Sequence, residues 1–513
     1  MRGRDKLLGL ASLMTCLALP GAAHAGGFDY TAPGTRALGR GGAFFARADD
    51  PMALLYNPAN LSILSGAQLS LNAHVAFYSA CADRSGRARD NINVEDVSRF
   101  GNTEVDPWPD RDLPEVCNEG PPAPSPDLIF TLRLTPELGI GAGVFTPTAI
   151  GHTVWGDMDT LATADGSMPL PTRYALLEEQ LLIFYPTIGA GYSPVPWLRF
   201  GAALQWGIGL FYFDTMTVPA AAGEHPAQDI ESKLNVNDLF IPAAVVSVAF
   251  VPHDNLDIML GFRWVDAIRA GGRVELNSGV YGNGQPMSTN PTSVEYSGVS
   301  FEAPQPWQAS LGVRYADRIS ARPRDHASVE RLSGRVEDSM ANERWDVELD
   351  AVYEVGSLVD EFVIDLPAGL VPVDFVDSGV TDFPLPSQIR LPHHWKDQLS
   401  LRLGGDWNVM PGMFALRLGA SFETRGIDPK YAQIDFLPAM RIGVHAGFTL
   451  RLGRWDLSFA YAHLFQETID VPASEAGLPQ ICAGCTRGEG AIINAGSYTA
   501  GFDIFSLAAT WHL

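Results

Sequence analysis

The sequence predicts an all-β fold: a 14-stranded antiparallel transmembrane β-barrel with a small N-terminal helical plug, or hatch, in its lumen. Three observations carry that expectation. Apolar residues alternate with small or polar ones over stretches of 10 to 15 positions, the connections between stretches alternate short and long, and about 40 residues that do not alternate precede the first of them.

The chain opens with a leader. Arg2, Arg4 and Lys6 form a basic start, Leu7 to Leu19 an apolar run, and Ala23-His24-Ala25 an A-x-A cleavage site, the three parts of a secretory signal peptide. Residues 1–25 are therefore expected to be removed on export. Leu13-Met14-Thr15-Cys16 offers a rival lipoprotein reading, which Thr15 directly before Cys16 fits poorly. Pro20 and Gly21 end the apolar run too early for a spanning anchor.

Composition narrows the function classes. Of 513 residues 46% are apolar and 18% charged, and 59 Asp plus Glu against 35 Lys plus Arg give a formal charge of −24. Phosphate binding needs a basic face, so no nucleic acid partner is expected. A multispanning helical protein needs several runs of about 20 apolar residues, which so balanced a composition does not supply. The 51 Gly and 37 Pro suit many strands and tight turns.

Residues 26–65 read as the plug. They run Gly26-Gly27-Phe28, then Gly39-Arg40-Gly41-Gly42-Ala43, then Asp49-Asp50-Pro51-Met52-Ala53-Leu54-Leu55-Tyr56-Asn57-Pro58-Ala59-Asn60-Leu61. Gly41 and Gly42 permit close backbone approach. Asp49 or Asp50 is placed to cap a short helix with Pro51 in its first turn, and Asn57-Pro58 to end it. A phosphate loop would need a Lys-Ser/Thr ending and a preceding strand, both missing.

Residues 66–513 read as the barrel. Alternating stretches fall at about 66–79, 126–135, 137–146, 179–193, 197–213, 238–251, 256–270, 305–318, 343–357, 395–408, 412–425, 439–452, 454–467 and 500–513, with ends uncertain by a few residues. In the clearest, Met440, Ile442, Val444, Ala446, Phe448 and Leu450 share one face, and Arg441, Gly443, His445, Gly447, Thr449 and Arg451 the other. A helix would scatter these residues around all sides.

Connections after even-numbered strands are mostly tight, such as Pro194-Val195-Pro196 and Gly453, whereas those after odd-numbered strands run long, as at 80–125, 147–178 and 468–499. That is the habit of outer-membrane barrels, with short periplasmic turns and long outside loops. Residues 319–342 break it, as an enlarged turn or a miscount. Closure follows because lipid offers no partner to a free backbone edge. The predicted inward faces carry Arg263, Arg402, Arg417, Arg441, Arg451, Asp346, Glu348, Asp350 and Glu423, both signs together, which favours a structural network over a charge filter. The last strand places Phe505, Leu507, Ala509, Trp511 and Leu513 on one face, an apolar ending of the kind barrel-assembly machinery reads.

With Cys16 removed, Cys81, Cys117, Cys482 and Cys485 are left. An even count in an oxidising compartment favours disulfides, and spacing favours 81 with 117 and 482 with 485. Cys482-Ala-Gly-Cys485 lacks the βαβ setting of a redox dithiol and the further ligands of a zinc site. No enzyme is expected: there is no G-x-S-x-G elbow, and His393-His394 lacks the spacing of H-E-x-x-H. No cofactor or metal is implied.

The stretch "GRGGAFFARADDPMALLYNPANLS" resembles the plug signature of the FadL family of outer-membrane transporters for long-chain fatty acids and other hydrophobic compounds. Gly139-Ile140-Gly141-Ala142-Gly143-Val144-Phe145-Thr146-Pro147 and Trp395-Lys396-Asp397-Gln398-Leu399-Ser400-Leu401-Arg402-Leu403-Gly404 agree with it. The resemblance implies a 14-stranded barrel in the outer membrane, closed by the hatch and taking up a fatty acid, alkane or aromatic without a cofactor. It implies a lumen site near Phe28, gating by Gly41, Gly42, Asp49, Asp50, Pro51, Tyr56, Asn57, Pro58 and Ala59, and lateral release at a strand-3 kink marked by Gly141, Gly143 and Pro147. Strand glycines signal either a kink or a close backbone approach, so Gly141 and Gly143 also fit a wall crowded by the plug. The family's loops after the fifth and seventh strands carry apolar helices, whereas residues 214–237 and 271–304 here are rich in Asn, Ser, Gly and Pro. The most apolar outside loop is instead Leu358 to Val380, with Phe362 and Phe375, a candidate for ligand capture. Other expected partners are outer-membrane lipid and lipopolysaccharide. The alternative function is an aqueous porin or an adhesive barrel, which would not need the plug.

Overall fold

The computed structural model describes residues 32–87, 111–146, 151–163, 168–218, 224, 226, 229–281, 292–322, 338–372, 382–481 and 490–513. Fourteen antiparallel strands form one closed sheet. They are β1 (Ala67–Arg84), β2 (Ala123–Arg133), β3 (Leu138–Phe145, resuming as His152–Val154), β4 (Glu178–Val195), β5 (Leu198–Thr217), β6 (Ile230–His253) and β7 (Leu256–Val265 and Ile268–Ser278). There follow β8 (Thr292–Ala303 and Gln308–Arg318), β9 (Glu343–Glu354 and Glu361–Asp365), β10 (Gln388–Pro392 and Gln398–Met410), β11 (Phe414–Glu423), β12 (Arg441–Leu452), β13 (Trp455–Gln466 and Ile469–Val471) and β14 (Gly496–His512). β1 pairs with β14 from Gln68↔His512 to Arg84↔Gly496 and with β2 from Ala67↔Leu132 to Ala76↔Ala123, which closes the barrel.

Period two decides which side chains meet lipid. On β1, Gln68, Ser70, Asn72 and His74 are buried in the lumen while Leu69, Leu71 and Phe77 stand outside. Polar residues are tolerated inside because the insert and facing strands supply partners, and lipid would not. Trp197 packs edge-on against Phe250 near the short-turn end, and Trp206 against Phe240 higher up. Nine residues along a strand tilted by about 40° rise about 23 Å, close to the apolar thickness a barrel must match.

The strands run well beyond that belt. Ile230–Asn237 and Gly271–Ser278 pair as a ladder, and Ile268–Ser278 pairs onward with Thr292–Ala303. This corrects the expectation that 214–237 and 271–304 are loops. Their outer face is charged, with Arg269 near Glu302 at 3.7 Å and Arg273 near Glu295 at 3.5 Å, so the apolar-outside signal is lost above the membrane although pairing continues. Inward residues such as Val274 and Leu276 are buried. Leu358–Val380 is likewise not all loop, since Glu361–Asp365 extends β9 and pairs with β8 and β10.

The strand count stands, and of the 319–342 connection residues 319–322 and 338–342 are described. A short helix, Ser339–Asn342, is capped by Asp338, whose carboxylate also meets Arg451 at 2.7 Å. Asn408 Nδ2 donates to Ser339 O at 2.8 Å, which ties this helix to β10. Cys81 and Cys117 are bonded, joining β1 to the loop strand Val116–Cys117. Cys482 and Cys485 lie outside the described residues.

Candidate functional site

Residues 32–65 lie inside the barrel as α1 (Thr35–Leu38), α2 (Ala53–Tyr56) and a 3-10 turn, Pro58–Ile63. Helices of four residues cannot hold themselves together, so the wall holds them. Asp50 Oδ1 accepts from Met52 N at 2.9 Å and fixes the turn that Pro51 starts before α2. Asn57 ends α2, its Nδ2 donating to Phe45 O at 2.9 Å. Tyr56 donates to Pro33 O at 2.7 Å and packs edge-on against Phe44 and Phe45. Gly41 and Gly42 both have positive φ, 68° and 80°, and a Cβ at Gly41 would stand 2.7 Å from Ala420 O.

One wall grips this segment through charge. Arg40 is fully buried and donates to Asp346 at 2.9 and 3.0 Å, to Asp406 at 2.6 Å and to Glu348 at 3.1 Å. Arg47 meets Asp346 at 2.8 Å, and Asp49 meets Arg36 at 2.7 Å. Asp350 Oδ2 accepts from Phe44 N at 2.8 Å and Phe45 N at 3.0 Å, and Glu348 Oε1 from Ala46 N at 2.7 Å. Asp346, Glu348 and Asp350 are i, i+2, i+4 on β9 and so share one inward face. Buried charges need such partners, because desolvating them alone costs several kcal/mol each.

The opposite wall meets the segment through glycine. Cβ atoms added at Gly139, Gly191 and Gly201 would stand 1.9 Å from Leu61 O, 2.3 Å from Pro58 O and 2.0 Å from Ala59 N. Ala59 N itself donates to Ser247 Oγ at 2.9 Å. Gly141 faces Leu61 and Leu54 at 3.3 and 3.4 Å, so at this position the strand glycine serves close approach. Gly201→Val is expected to force the 3-10 turn off the wall at a cost of about 1–3 kcal/mol, read as a lowered melting temperature and faster protease cleavage within residues 32–65 of the folded barrel.

Among the described residues the β2–β3 ladder stops at Leu128↔Val144 although β2 continues to Ala123, and β3 pairs with β4 up to Phe145↔Tyr185 and from His152↔Gln180, residues 147–150 lying outside the described ones. Pro124 and Pro126 lie in the part of β2 that pairs with β1 alone. Proline has no N–H to give, so these two belong on the side away from β1, where a β3 ladder would need donors. Pro186 stands opposite Val144 on β4. Side chains take the place of the ladder: Thr146 N donates to Asp127 Oδ1 at 3.1 Å and Thr146 Oγ1 to Pro126 O at 2.7 Å. Pro147 lies outside the described residues.

Above the insert, at the long-loop end, lies an apolar cavity partly open to solvent, with about 1160 Å³ of space between its lining atoms. Its wall comes from the upper strands, with Phe213 on β5, Leu234 on β6, Val274 and Leu276 on β7 and Phe362 and Ile364 on β9. Its roof comes from loop residues Leu176, Leu385, Leu478 and Ile493. Phe362 is 2% exposed and sits 5.7 Å from the Phe301 ring and 5.9 Å from the Phe436 ring. Behind Tyr174, Arg173 pairs with Asp229 at 2.8 Å and Arg84 with Glu224 at 2.6 Å, which ties the roof to the strands. Burial pushes the Asp229 carboxyl up to about 6 even against Arg173.

Of the residues singled out in the sequence, Gly41 to Ala59 come together in the insert, Gly141 lies beside it, Gly143 packs against Leu128 and Ile129 of β2, and Phe362 lines the upper cavity. Phe28 and Phe375 lie outside the described residues. The sequence does not mark Arg40 as an anchor, although it places its β9 partners Asp346 and Glu348 on the inward face. It also leaves unmarked the cavity wall above the membrane, where only inward alternation such as Val274 and Leu276 gives a signal. The Pro-Ser-Pro of β2 was a legible mark of where the β2–β3 ladder ends.

A closed, membrane-spanning barrel with a buried N-terminal insert, a described β2–β3 ladder that ends at Val144 and an apolar outer cavity defines a class of transmembrane barrel. Its fold is similar to that of a Pseudomonas aeruginosa FadL homologue, with a TM-score of 0.65 at 13% identity over 96% of this chain and 100% of that one. It is also similar to TodX, a Pseudomonas putida toluene transporter, with a TM-score of 0.61 at 14% identity over 95% and 99%. TbuX, a Ralstonia pickettii toluene transporter, gives a TM-score of 0.55 at 13% identity over 94% and 99%. No protein-family model and no curated protein matches the chain by sequence.

Proposed function

We propose that this chain is an outer-membrane channel for passive uptake of hydrophobic compounds. A ligand enters the loop-end cavity, the N-terminal insert acts as a hatch that blocks straight passage, and the ligand leaves sideways beyond Gly143, where the β2–β3 ladder ends. The observation that carries the reading is the apolar cavity stacked over a charge-anchored insert, with the end of the β2–β3 ladder beside them. Dispersion and water exclusion draw a hydrocarbon into such a cavity without an energy source. The titles of the similar structures, a FadL homologue and toluene transporters, support hydrophobic cargo. Lipid and lipopolysaccharide would surround the apolar wall, and Phe505 to Leu513 on β14 would be the segment offered to the assembly machinery.

The test is uptake of labelled toluene, an alkane and a long-chain fatty acid by bacteria lacking their own hydrophobic-compound transporter and expressing this chain. Saturable uptake of one of them is expected. Phe362→Ala is expected to raise half-saturation about tenfold, through loss of roughly 1.5 kcal/mol of apolar contact, with the barrel still inserted. Failure of every compound together with steady ion conductance by the purified barrel would sink the reading and favour a porin.

A further inference from the structure

The lining of the upper cavity is mostly apolar, with one carboxylate among its described residues. That carboxylate is Asp435, with Oδ2 3.0 Å from His393 Nε2 and Oδ1 accepting from Phe436 N at 2.6 Å. His393 is not a lining residue: it is fully buried, its ring stacked 3.8 Å from that of Phe362. A carboxylate offers about four lone pairs, so Asp435 retains acceptor capacity toward the cavity. Glu179 is the direct cross-strand partner of the lining residue Phe213 and is 0% exposed. It is not itself a lining residue: its carboxyl lies beside the Thr153 hydroxyl and near Asp435. Among the described lining residues there is no Lys or Arg.

We propose that this cavity selects an uncharged hydrocarbon bearing a hydroxyl donor, with Asp435 as the acceptor, and disfavours the free carboxylate of the same chain. A hydroxyl gives the remaining lone pairs of Asp435 a donor. A carboxylate brings another acceptor and a like charge into a site with no cation to meet it. The proposal rests on the reading of the cavity as the capture site, and it goes further by naming the head group.

Competition by 1-decanol, decane and decanoate against a bound fluorescent hydrocarbon, on the purified full chain at neutral pH in fixed detergent, tests it. Decanol is expected to compete about tenfold better than decanoate, a difference in line with one hydrogen bond to a charged group. Asp435→Asn is expected to narrow that gap to within about twofold by improving decanoate, with decane unchanged. If decane binding also falls, the variant has disturbed the cavity, and Asp435→Glu, which keeps the acceptor, decides: a gap still about tenfold supports the proposal and a gap lost overturns it. Decanoate competing as well as decanol in the unaltered chain would overturn the proposal while leaving capture intact. If none of the three displaces the probe saturably, the capture reading itself fails.

Discussion

Arg40→Ala is expected to turn a closed barrel into a leaky one. The guanidinium is the shared partner of Asp346, Glu348 and Asp406, all buried at the junction of α1 and the β9–β10 wall. Removing it leaves three carboxylates with too little positive charge, and breaking a buried pair in this way costs about 3–5 kcal/mol. Arg47, Arg314 and Arg417 hold part of Asp346 and Asp406, whereas Glu348 loses its arginine and keeps the Ala46 and Arg47 N–H groups. The barrel itself should survive, because it is closed by backbone ladders that Arg40 does not enter. The expected result is an inserted barrel whose N-terminal segment is cleaved by protease and which shows ion conductance in planar bilayers where the unaltered chain is silent. An unchanged melting temperature and a silent bilayer would mean that the anchor is spread over the other contacts.

Arg40 also shows where sequence reasoning stops. The alternation of Asp346, Glu348 and Asp350 places three acids on one lumen face, and the count of fourteen strands follows from alternation and turn lengths alone. What meets those acids depends on how residues 32–65 fold inside the barrel, a long-range pairing with no local pattern. The reading of 271–304 as loop failed for a related reason. Inside the membrane, lipid imposes apolar outward faces; above it, Arg269, Arg273 and Glu302 satisfy water as a loop would, and only Val274 and Leu276 betray a strand. The upper cavity is built there, from ladders and loops far apart in the chain, which is why Phe362 was legible and the other lining residues Phe213 and Leu234 were not.

The end of the β2–β3 ladder at Val144 is where the proposed route of exit meets the wall, and the second large effect is expected from extending that ladder. Pro124 and Pro126 cannot donate, so the edge of β2 facing β3 lacks ladder donors for two positions in succession. Asp127 and Thr146 hold the strands by side chains instead, 3.1 Å from Asp127 Oδ1 to Thr146 N. Replacing both prolines by valine restores two donors and adds β-branched residues suited to a strand. Each new ladder bond contributes about 0.5–1.5 kcal/mol, enough together to shift an opening equilibrium by roughly tenfold or more. Pro124→Val/Pro126→Val is therefore expected to raise thermal stability and to lower uptake of the transported compound by about that factor. Binding in the upper cavity should not change, since the substitutions lie below it. That split matters: uptake lost with binding kept places release at the end of that ladder, whereas uptake kept at its full rate with the ladder extended would mean that the ligand leaves past the insert, and the anchoring by Arg40 would then have to open in every transport cycle.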